Sequence, residues 1–88
     1  LKPDLQHTRT IEINQQDNYL KFRPGKRYEL FYWDTDWVSV GIQSPSKEST
    51  KMVFKDVPSN ALLILIPEYT AGKERPFIID ESGTRYWW

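Results

Sequence analysis

Residues 28–42 read YELFYWDTDWVSVGI, and this stretch decides the fold. Tyr28, Phe31, Tyr32, Trp33, Trp37, Val38, Val40 and Ile42 are aromatic or β-branched, the residue types that suit a pleated, half-buried surface. Between them Asp34, Thr35 and Asp36 supply a three-residue hairpin loop. Pairing across that loop puts Trp33 opposite Trp37, Tyr32 opposite Val38, Phe31 opposite Ser39, Leu30 opposite Val40 and Tyr28 opposite Ile42. Side chains alternate between faces along a strand. One face therefore carries Tyr28, Leu30, Tyr32, Val38, Val40 and Ile42, and reads as core. The other carries Glu29, Phe31, Trp33, Trp37, Ser39 and Gly41. This second face either packs under another element or stands open as an aromatic platform. The last loop position, Asp36, is expected in left-handed backbone, where Asp costs less than most residues and more than Gly.

Working outward, Arg23-Pro24-Gly25-Lys26 has Pro then Gly at its central positions, the signature of a type II turn. Upstream, residues 18–23 form a candidate strand with Leu20 and Phe22 on one face, and residues 8–14 another with Ile11 and Ile13. Residues 1–7 lack periodicity and read as a linker. Downstream, residues 43–49 are a polar loop and residues 50–55 alternate as a strand, with Thr50, Met52 and Phe54 on one side. Val57-Pro58-Ser59-Asn60 reads as a turn. Residues 61–66, ALLILI, are apolar on both faces, as in a strand covered on both sides near the centre of a sheet. Residues 67–75 form a polar connection. Residues 77–79 then pair with 84–88 across Glu81-Ser82-Gly83, which sets Phe77 opposite Trp87 and Ile78 opposite Tyr86. Helical periodicity and internal repeats are both lacking. The expectation is an all-β domain over residues 8–88, a small antiparallel β-sandwich of about seven short strands.

The chain has 88 residues, enough for one domain with a thin core. It has no cysteine, so neither disulfides nor thiolate chemistry is available. Four Trp, five Tyr and four Phe must supply much of the buried area. Twelve basic and twelve acidic residues cancel, which removes the usual electrostatic handle for nucleic acid or an anionic membrane. No apolar run approaches the roughly 20 residues of a membrane-spanning helix. Neither nucleic-acid binding nor membrane insertion is expected.

The constellations that carry catalysis are missing. His7 is the only histidine and lies in the linker. Asp34 and Asp36 sit at a turn tip, where turn chemistry explains them better than paired-carboxylate catalysis. No phosphate loop, HExxH or GxSxG motif occurs. Asp34, Asp36, Asp80 and Glu81 could offer oxygens to Ca²⁺, but nothing spaces them as a calcium loop does. No enzyme activity, metal or cofactor is therefore expected. The candidate ligand-binding residues are Phe31, Trp33, Trp37 and Glu29. Aromatic rings stack on the apolar faces of sugars while neighbouring polar groups fix the hydroxyls, so a glycan is one candidate partner. In a domain this small the preferred reading is that these rings form the second half of the core.

The blocks YELFYWDTDWVSVG (residues 28–41), FKDVPSNALLIL (54–65), GKERPFI (72–78) and the terminal YWW (86–88) keep a fixed order. Together they resemble a C-terminal β-sandwich module of large exported Bacteroidetes proteins, often found beside transglutaminase-like or discoidin-type domains. The resemblance covers residues 28–88. Asp36 stands where the pattern has a turn Gly, Val40 where it has Leu, and Pro76 follows Arg75. The resemblance implies a non-catalytic accessory domain of an extracytoplasmic, glycan- or peptide-processing protein, with the neighbouring domain of the same polypeptide as partner. It carries over no catalytic residue.

Overall fold

The structure, a computed structural model, describes residues 2–13, 22–48, 51–68, 77–79 and 85–87. Seven strands appear among these residues: β1 (Asp4–Ile13), β2 (Tyr28–Trp33), β3 (Trp37–Gln43), β4 (Met52–Ser59), β5 (Leu63–Pro67), β6 (Phe77–Ile79) and β7 (Arg85–Trp87). They form two antiparallel sheets, β1-β4 and β3-β2-β5-β6-β7. The all-β, sandwich-like expectation is therefore met.

The core lies between the sheets. Tyr28 and Leu30 from β2, Leu63 and Leu65 from β5, and Phe77 and Ile79 from β6 meet Ile11 and Ile13 from β1 and Met52, Phe54 and Val57 from β4. All are almost wholly removed from water. Phe22 closes one side, edge-on to Tyr28 and Phe77 at ring separations of 5.1 and 5.8 Å. The Tyr28 hydroxyl accepts the Arg23 amide at 2.8 Å, which ties the turn before β2 to the core. That turn has the expected form: the Lys26 amide donates to the Arg23 carbonyl at 3.1 Å, with Gly25 at φ 83°.

The central hairpin forms where expected, with Trp33 paired to Trp37 across residues 34–36. Its expected register holds through Phe31–Ser39 and then breaks. A β-bulge at Val40 sets Leu30 opposite Gly41, Glu29 opposite Ile42 and Tyr28 opposite Gln43. A one-residue slip sends following side chains to the other face. Ile42, expected in the core opposite Tyr28, instead stands on the far face beside Glu29, exposed. Val38 keeps its pairing with Tyr32 but is also exposed, because a two-stranded sheet covers only part of a five-stranded one. In the loop the left-handed residue is Thr35 (φ 58°), not Asp36. Asp36 is held otherwise: its carbonyl accepts the Asp34 amide at 2.8 Å and its carboxylate accepts the Trp37 amide at 2.8 Å.

Two further boundaries differ from the sequence expectation. The strand expected from Thr8 begins at Asp4, within the stretch read as linker, and pairs with β4 across a register shift between Asp4 and Thr8. The Asp4 carboxylate accepts the amides of Gln6 and His7 at 3.0 and 3.2 Å and contacts His7 Nδ1 at 2.7 Å, which pins that kink. The turn expected at residues 57–60 is shorter, since β4 runs on to Ser59. It does so through a bulge near Asp56, whose φ of 59° re-aims Val57 into the core. Pro58 is tolerated because β4 pairs with one strand only. The strand expected over residues 18–23 lies largely outside the described residues, and Phe22 and Arg23 are not in a strand. At the other end, Phe77–Trp87 and Ile78–Tyr86 pair as expected.

Candidate functional site

The site worth building is the outer face of the five-stranded sheet, the side turned away from β1 and β4. Strand alternation and register place its members in rows. Phe31 on β2 stands between Ser39 on β3 and Ile64 on β5, and Ile64 pairs onward with Ile78 on β6. One row toward the start of β2, Glu29 stands between Ile42 and Ile66. One row the other way, Trp33 pairs with Trp37, and its amide donates to the Leu62 carbonyl at 3.0 Å. The centre of this face is well packed, with Ile64 only 3% exposed. Around it, Trp33, Leu62, Ile42 and Ile66 are left 39%, 43%, 54% and 36% exposed. The four residues singled out in the sequence, Phe31, Trp33, Trp37 and Glu29, thus do share one face. That face is a broad aliphatic one with aromatics at one end.

The β5 sequence explains the layout. Leu63 and Leu65 point into the sandwich, while Leu62, Ile64 and Ile66 point out. The apolar character of ALLILI on both faces led to the expectation of a strand covered on both sides. The central position is as expected, but the outer side is covered only at Ile64.

The two indoles do not form a flat platform. Their ring centres are 5.0 Å apart and the planes meet at 67°, an edge-to-face contact that stabilises the pair at the cost of a shared flat surface. A sugar could lie on one ring but not across both.

Polar groups gather at the opposite end. The Ser39 hydroxyl donates to Glu29 Oε2 at 2.6 Å, across the β2–β3 pair. Arg27, two residues before Glu29, clasps Glu68 just beyond β5. Its Nε and Nη2 donate to Glu68 Oε2 at 3.0 and 2.9 Å, and its amide donates to Oε1 at 2.9 Å. The Glu68 amide returns a bond to the Arg27 carbonyl at 2.9 Å. The Arg27 amide above all, and then its guanidinium, holds the Glu68 carboxyl below its ordinary pKa. Arg27, Glu29, Ile42, Ile66, Pro67 and Glu68 enclose a shallow open depression of 290 Å³.

Sequence reasoning missed Ile42, Leu62, Ile64, Ile66, Ile78 and the Arg27–Glu68 clasp as parts of this face. Ile42 was hidden by the bulge. The outward phase of β5 was detectable only once β2 and β5 were known to pair. Of the carboxylates weighed for a cation, that of Asp36 accepts the Trp37 amide in the hairpin loop, where the Asp34 carbonyl accepts the Thr35 hydroxyl, and Asp80 and Glu81 lie outside the described residues. So do Trp88 and the side chains of Tyr86 and Trp87. Among the described residues no group of three metal-ligating side chains converges, and no helix is long and apolar enough to cross a membrane. Comparison of the chain with protein-family models, with curated proteins and with solved structures gives no match.

Proposed function

We propose that this chain is a non-catalytic accessory module that docks, through the outer face of β3-β2-β5-β6, on a neighbouring domain of its own polypeptide. The observation that carries the proposal is that Trp33 and Leu62 at one end, and Ile42 and Ile66 flanking Glu29 at the other, stand exposed on a sheet face that no described element covers. Apolar side chains grouped in this way mark interaction surfaces, whereas scattered ones do not.

Size favours a tethered partner. If a whole side chain of this kind presents ~200 Å², the exposed parts of the four residues amount to about 350 Å². A free-standing complex of standard size needs roughly 800 Å² per partner. Inter-domain contacts within one chain need as little as about 300 Å² per side, because tethering raises the effective concentration to the millimolar range. The resemblance of residues 28–88 to the terminal module of exported Bacteroidetes proteins supplies the setting, an extracytoplasmic protein that processes glycans or peptides. Carbohydrate binding by Phe31, Trp33, Trp37 and Glu29 is the weaker reading, because the indoles stand at 67°.

The test is to follow the indole N–H signals of the ¹⁵N-labelled chain during addition of the neighbouring domain and, separately, of pooled glycans. Docking predicts saturable shifts of Trp33 and Trp37 with the domain and none with millimolar sugar. Shifts with sugar alone would replace docking with glycan binding.

A further inference from the structure

We infer that the depression bounded by Glu29, Glu68, Ile42 and Ile66 receives a single arginine side chain projecting from the docked partner. The inference rests on the docking reading above and adds the chemistry of the partner's surface. Glu29 is a carboxylate set between two isoleucines, Ile42 and Ile66, on the sheet's outer face. A face whose task was only to pack against hydrocarbon would leave that charge buried and unmatched on docking, a loss of several kcal/mol. Glu29 carries one described hydrogen bond, from Ser39 to Oε2. A carboxylate has room for about four, and Glu29 lines the depression, so it keeps acceptor capacity there.

The one cation that lines the depression among the described residues, Arg27, is already committed. Both Arg27 nitrogens bonded here go to Glu68, and the Arg27 and Glu68 backbones are tied to each other as well. Among the residues lining the depression, Arg27 is bonded to Glu68, on which Lys26 also acts, and Glu29 is the carboxylate with no described bond to a cation. Its walls suit an arginine. The aliphatic stem would lie along Ile42, Ile66 and Pro67, and the guanidinium would reach Glu29 at the end. Arginine fits better than lysine because a guanidinium sheds water more readily and can donate two parallel bonds to one carboxylate.

The probe is N-butylguanidinium, with N-butylurea as a neutral control of the same shape, followed by the methyl signals of Ile42 and Ile66 and the amide of Glu29. Saturable millimolar shifts with the cation, at least fivefold weaker with the urea, are expected. Glu29→Gln, which keeps the Ser39 bond, should remove that preference. Equal response to both probes, or no response, would overturn the inference. A second arm measures docking of the neighbouring domain to the Glu29→Gln chain. At least tenfold weaker docking is expected. Unchanged docking would overturn the arginine while leaving the docking face intact. No docking to the unsubstituted chain would remove the docking reading itself, whatever the probe does.

Discussion

Replacing both Ile42 and Ile66 with Thr separates the two tasks that an apolar side chain can have. Thr keeps the β-branched shape that suits a strand, so the backbone preference is preserved. Each site is open to water, so no closed cavity is created and the added hydroxyl is solvated. The fold should therefore lose less than about 1 kcal/mol, as is usual for substitutions outside the core. Docking should lose more. Burying a whole isoleucine is worth ~1.5–3 kcal/mol, and Ile42 and Ile66 keep 54% and 36% of their surface for a partner. If the face docks as proposed, together they would hold about 1–3 kcal/mol of docking energy, or a roughly ten- to hundredfold change in affinity. Urea unfolding of the isolated chain measures the first quantity, and calorimetric titration with the neighbouring domain measures the second. A large loss of stability with docking unchanged would refute the reasoning, because it would make the outer face part of the core.

Three more expectations bear on the framework that holds this face. Leu65→Ala, one residue from Ile66 but fully buried, should cost about 3 kcal/mol and lower the thermal midpoint by more than 10 °C. Thr35→Asn should stabilise by about 0.5–1 kcal/mol, because a β-branched residue at φ 58° is strained where Asn is tolerated, and denaturant midpoints would register the gain. Acid should loosen the Arg27–Glu68 clasp. The Glu68 carboxyl is held below its ordinary pKa, so its contribution is present above the unfolded-state value and disappears as pH falls through the folded one. Glu68→Gln should flatten that part of the stability–pH curve, and an unaltered curve would show that the clasp contributes nothing.

How far the sequence could be read depended on whether the signal was local. Gly25 after Pro24 specified its turn. The Trp33–Trp37 hairpin and the Phe77–Trp87 pairing followed from loop length and alternation, because short antiparallel connections fix register by themselves. The bulges at Val40 and Asp56 changed the register away from what loop length sets. The isolated Gly41 in the β3 pattern is a bulge signal that the loop-length register passed over, whereas the stretch around Asp56 contains no glycine. The Val40 bulge moved Ile42 from the expected core onto the outer face, and with it the centre of the candidate site shifted from the indoles toward Glu29. The Arg27–Glu68 clasp joins residues 41 apart in sequence, so only the β2–β5 pairing could reveal it. The aromatics were correctly placed on one face, but their mutual angle is a property of packing that alternation cannot supply.

The most direct measurement is hydroxyl-radical footprinting of this chain alone and joined to the neighbouring domain that the proposal calls for. Docking through the outer sheet face predicts that Trp33, Leu62, Ile42 and Ile66 become several-fold less labelled in the joined form. Leu5, 57% exposed on β1 in the other sheet, should stay as reactive as before. Equal labelling of the four residues in both settings would contradict the docking face.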